Sequence, residues 1–133
     1  MRNAKSVGQL LRRLPLVPDL IITSDAVRAQ TTAQIVAGAA EYHGKVVQSS
    51  LLYHARPDAV IEVLRTIPTA ANRSVMIVGH NPGLEDLVAL LTGEQRDLPT
   101  AALVQIDLDL ERWSELDVST SASVIDAWTP AEL

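Results

Sequence analysis

Short β-branched runs alternate with stretches of helical periodicity, and this alternation constrains the fold more than any other feature of the chain. The strand-like runs are "DLIIT" at 19–23, "KVVQS" at 45–49 and "SVMIV" at 74–78. Each is brief and rich in Val and Ile, as a buried strand is. The helical stretches lie before, between and after them. Ala4, Val7, Leu10, Leu11 and Leu14 repeat at helical spacing, with Pro15 and Pro18 beyond. "DAVRAQTTAQIVAGAAEYHG" (25–44) predicts a second helix. Ser24 is its expected N-cap, Asp25 suits its positive end, and Gly44 is its expected stop. Pro57 and Asp58 open a third helix with Val60, Ile61, Val63 and Leu64 on its apolar face, closed by Pro68. "GLEDLVALLTG" (83–93) predicts a fourth. Strands alternating with helices in this way predict an α/β fold of three layers, α/β/α, with a mostly parallel sheet. "SVMIV" is apolar on both faces, so it is expected to be a central strand. "AALVQIDLDL" (101–110) mostly alternates and predicts a strand with one more polar face. "RWSELDVS" and "SASVIDAW" are further strand candidates.

The length of 133 residues suits one domain, expected to span 1–133. Phe is absent, so Leu, Val, Ile and Ala must fill the core. The net charge of −5, with no basic stripe, argues against a nucleic-acid partner. No apolar run is long enough for a transmembrane helix, so no membrane partner is expected. No secretory signal pattern is visible, which fits a cytoplasmic location. With no cysteine there is no disulfide, thiol nucleophile or cysteine metal site. The histidines lack ligand spacing, so no metal and no cofactor is expected. His43 and His54 read as surface or loop residues.

Ligands of open α/β sheets bind beyond the carboxyl ends of the strands. Two such ends carry polar groups here. "TSDAVRAQT" offers Ser24 and, one helical turn on, Arg28. "GHNPG" offers His80, Asn81 and the helix start after Pro82. A helix start favours anions, a guanidinium suits phosphate, and a histidine donates a hydrogen bond or a proton near neutral pH. Together these make half of a phosphate pocket. Each also has an ordinary structural reading: Ser24 as a cap, Arg28 as a solvated side chain, His80 and Asn-Pro-Gly as turn chemistry.

"SDAVRAQTTA" followed by "VMIVGHNPGLEDL" resembles the histidine phosphatase superfamily, with its phosphoglycerate-mutase-like fold. The intervening "LLYHARPDAVIEVL" is similar to the SixA-type phosphohistidine phosphatase branch. The resemblance covers nearly the whole chain. It implies hydrolysis of phosphohistidine or a small phosphomonoester through a phosphohistidine intermediate. It implies a pocket of two histidines and two arginines. The second arginine corresponds to Arg28 and the second histidine to His80, both catalytic. Arg28, Ser24, His80 and Asn81 would bind the phosphate. The nucleophilic histidine belongs to an Arg-His-Gly motif at the end of the family's first strand. No Arg-His-Gly occurs in these 133 residues. The expectation is therefore a histidine-phosphatase-like domain truncated at its start, lacking the first strand and the nucleophile, and inactive alone. The alternative is a pseudo-phosphatase that binds phosphate or a partner without catalysis. In this fold the first strand lies between "VMIV" and "ALVQIDL". Without it those strands must pair directly or leave two bare edges.

Overall fold

The computed structural model describes residues 2–129. The elements run α1 (Arg2–Arg13), β1 (Leu20–Ser24), α2 (Val27–Ala39), β2 (Val46–Ser49), α3 (Pro57–Arg65), β3 (Val75–Val78), α4 (Gly83–Thr92), β4 (Leu103–Leu108) and β5 (Ala122–Trp128). β1 is flanked by β2 and β3, both parallel to it, in the order β2-β1-β3. β4 and β5 form a separate antiparallel pair.

Alternation along β1 builds the layers. Ile21 packs with Ala29, Ala33 and Ala37 of α2. Ile22, its neighbour, packs with Val60, Ile61 and Leu64 of α3 and Leu87 and Leu91 of α4. Successive strand residues point to opposite faces, so β1 glues both helical layers to one sheet. Small residues let α1 and α2 approach closely. A Cβ at Gly8 would collide with the Val36 carbonyl oxygen and the Ala39 side chain.

The two sheets share these layers without sharing hydrogen bonds. Met76 of β3 and Leu103 of β4 both pack on the α1/α2 cluster of Ala4, Val7, Leu11, Val36 and Ala40. Val75 and Ile77 of β3 and Leu108 of β4 pack on the α3/α4 side. The layers are therefore continuous across the break, and the sheet is interrupted between β3 and β4. Among the described residues β3 and β4 are not paired with each other, so each leaves an edge without a hydrogen-bonded neighbour. β3, expected to be central, is an edge strand. Its Val75, Met76 and Ile77 are only half-buried.

Three other expectations are corrected. Ser24 is the last residue of β1, not a helix cap, and the N-cap of α2 is Ala26. α2 stops at Ala39, before Gly44, in an alanine-rich segment without strong stop signals. "RWSELDVS" is not a strand. Trp113–Glu115 is a single 3-10 turn, which lets Trp113 and the fully buried Leu116 plug the α3/α4 core together. The Trp113 indole N–H donates to the Asn72 carbonyl at 2.6 Å, and Arg65 donates to the Leu116 carbonyl at 2.7 Å. That burial outweighs weak strand propensity.

Candidate phosphate site

The ends of β1 and β3 meet because the strands are in parallel register, Thr23 opposite Val78. One residue beyond Thr23 is Ser24, fully buried. Two residues beyond Val78 is His80, half-buried. They are joined by a 2.8 Å hydrogen bond between His80 Nε2 and Ser24 Oγ. Ser24 Oγ also accepts from the Ala26 N–H at 3.1 Å. When the Ser24 hydroxyl donates to Nε2, the imidazole proton sits on Nδ1, which has no partner among the described residues. The ring is then held by its inner nitrogen and offers a donor with the outer one.

Burial pushes the His80 pKa below its ordinary value; the neighbouring His54 lowers it further, and Asp25 opposes both. The resting ring is thus biased towards neutrality. An arriving anion would reverse that bias, because a nearby negative charge favours the imidazolium.

Arg28 lies in the first turn of α2, at the same end of the sheet as His80. Its side chain is exposed and has no ion-pair partner among the described residues. Asn81 is placed differently. Its amide nitrogen donates to the Leu98 carbonyl, and its amide oxygen accepts the Glu85 N–H at 3.3 Å. Glu85 in turn accepts the Leu98 N–H at 2.6 Å. Asn81 and Glu85 together pin the Leu98 segment to the start of α4, so the Asn81 amide is committed to holding the loop that carries His80.

The residue that sequence reasoning missed is His54. It precedes α3 on an exposed loop, and its ring stacks on His80 with centroids 5.0 Å apart and planes at 28°. Tyr53 stands edge-on to both rings. Gly83 permits this approach. A Cβ there would collide with the Ala55 carbonyl oxygen, so the loop bearing His54 rests directly on the start of α4. The one available signal was the "YHARP" stretch just before a helix opening with proline. An open cleft of about 120 Å³ lies beside the pair, lined by His54, Ala55, Arg56, His80, Asn81, Pro82, Gly83 and Asp86. His43 is exposed and has no ring contact of this kind among the described residues. Among the described residues no three His, Cys, Asp or Glu side chains are grouped to hold a metal ion. No helix among them is long and apolar enough to cross a membrane.

This architecture matches solved structures across nearly its whole length. A protein assigned as the phosphohistidine phosphatase SixA of Agrobacterium tumefaciens superposes with a TM-score of 0.79 at 25% identity, covering 97% of this chain and 79% of that one. Its counterpart from Nakamurella multipartitia gives 0.81 at 20% identity, covering 97% and 80%. The protein histidine phosphatase SixA complexed with tungstate gives 0.79 at 19%, covering 96% and 79%. The fold is that of the histidine phosphatase superfamily. No family model matches the sequence. A curated relative, the uncharacterized chloroplastic protein At3g52155 of Arabidopsis thaliana, is 32% identical over 113 residues, which are 77% of this chain. The chain spans about half the length of that relative, 52%.

Proposed function

We propose that this chain forms the phosphate-binding side of a phosphatase active site. Its substrate is a phosphohistidine on a protein or a small phosphomonoester. The observation that carries the reading is the Ser24–His80 hydrogen bond at the ends of two paired parallel strands, with Arg28 in the first turn of the helix that follows. In this reading His80 and Arg28 contact the phosphoryl oxygens and stabilise the charge that develops during transfer. Ser24 fixes the His80 ring and lends its hydroxyl to the site. Asn81 is assigned to the phosphate site through the loop it holds. A phosphohistidine intermediate needs a nucleophilic imidazole facing this pair, and the natural place for one is the end of a strand between β3 and β4. The 133 residues carry no Arg-His-Gly to supply it, so the chain by itself is expected to bind phosphate and to turn over little or no substrate.

That same absence favours a second reading, a pseudo-phosphatase whose pocket serves binding alone. Action away from membranes and nucleic acids, in the cytoplasm and without metal or cofactor, is part of the proposal.

The test is thermal unfolding with sulfate or vanadate. Anything that binds only the folded state raises its stability. Either oxoanion is expected to raise the Tm, and Arg28→Ala to reduce that gain. A shift unchanged in Arg28→Ala removes Arg28 from the site.

A further inference from the structure

We infer that His54 is a further phosphoryl-contacting residue, and that with Arg56 it forms the wall receiving the group that bears the phosphoryl; this rests on the phosphatase reading above. Four observations converge. His54 and His80 are stacked in near-parallel planes 5.0 Å apart and share one cleft. Two imidazoles this close repel once both are protonated, and an anion touching both relieves that repulsion.

The cleft is of the right size. Its volume of about 120 Å³ holds roughly four waters at ~30 Å³ each. That suffices for a phosphoryl group and the first atoms of what carries it.

The backbone supports the placement. His54 has φ of 49°, in the left-handed region that side-chain-bearing residues seldom adopt. Such conformations persist where the surroundings enforce them, often at binding sites. Here the turn brings the exposed ring onto His80.

Arg56 supplies the cation. Its only ion-pair partner among the described residues is Asp58 at 3.8 Å, with both side chains more than four-fifths exposed (89% and 83%). So exposed a pair holds the guanidinium weakly, leaving it free to turn to an anion. Besides Arg56, the titratable groups beside the rings among the described residues include Tyr53, Asp25 and Asp86. Asp86 also lines the cleft, and its carboxylate repels an anion that approaches it. The phosphoryl therefore belongs on the His54–His80–Arg56 side.

The experiment titrates tungstate, as a phosphoryl mimic, into the isotopically labelled chain while the histidine ring resonances are followed by NMR from pH 5.5 to 8. The expected result is that His54 and His80 shift together with one Kd, while His43 does not move. His54→Ala is expected to weaken tungstate binding about tenfold, the loss of one hydrogen bond to a charged group. His54→Gln should retain part of the affinity but flatten its rise towards acid pH, which a merely structural role would not do. His43→Ala serves as the unchanged control, and circular dichroism confirms that each variant is folded. If Arg28→Ala and His80→Ala weaken binding while both His54 variants bind as wild type at every pH, the His54 inference is wrong and the phosphatase reading stands. If Arg28→Ala and His80→Ala also leave the affinity unchanged, the phosphatase reading fails and takes the inference with it.

Discussion

β1 and β3 lie side by side and carry nearly the same message, Leu-Ile-Ile-Thr against Val-Met-Ile-Val. Their fates differ. From Ile21 to Ser24 every residue of β1 is buried, whereas only Val78 of β3 is. β1 has a hydrogen-bonded neighbour on each side; among the described residues β3 has one only on the β1 side. The apolar character of β3 therefore exceeds what its position uses. A strand that is apolar on both faces is suited to the middle of a sheet, and a bare edge of that kind invites pairing. β4 presents the other edge, held by the same helical layers.

The largest single-residue effect should come from β1. Ile22→Ala, at a site only 4% exposed, is expected to cost about 2–5 kcal/mol in urea unfolding. Ile77→Ala should cost less than half as much, because Ile77 already meets solvent. Equal losses would mean that β3 is packed as a central strand after all. Supplying an apolar strand that docks beside β3 should raise the Ile77 cost towards the Ile22 value.

Gly83→Ala ranks next, at about 1–3 kcal/mol, the usual range for forcing extra volume into a packed contact. It should also push the Ala55 loop away from α4 and separate His54 from His80. Loss of the magnetic coupling between those two rings' NMR signals checks this; an intact contact with unchanged stability would show that the loop yields freely.

The smallest effect is a pH dependence. The His80 pKa is lowered in the folded state, so in that window the unfolded chain binds the extra proton. His80 therefore contributes stability that is present above its ordinary value of 6.5 and lost as pH falls towards the folded value. Wild type should lose denaturant midpoint relative to His80→Gln between pH 7.5 and pH 5. A constant difference across that range would show that His80 titrates as it does in the unfolded chain.

Much of this fold was legible because pattern and packing agree. The face Val60, Ile61, Val63 and Leu64 was set by helical spacing, and all four are buried. Gly93 closes α4 with φ of 77°, where glycine carries no penalty. The failures have physical causes. Ser24 looks like a helix cap because caps and strand ends both place serine before a helix. Only the parallel pairing of β1 with β3, a long-range fact, directs its hydroxyl to His80. His54 is the loop residue its sequence suggests; its contact with His80 was not legible, because nothing in its own neighbourhood announces His80. The contact depends on Gly83 letting two backbones touch. "RWSELDVS" failed because two large apolar residues three apart serve one turn as well as a strand.

At the centre of the proposed function is a strand that carries the nucleophile between β3 and β4, facing His80 and Arg28. The most direct test is turnover of a phosphomonoester by the 133-residue chain and by the same chain preceded by one apolar strand ending in Arg-His-Gly. The account predicts that the chain alone is no faster than its His80→Ala variant, while the extended chain turns over and loses that activity on Arg28→Ala. Equal turnover by the two forms, or a stable extended chain that remains inactive with His80 and Arg28 intact, would contradict it.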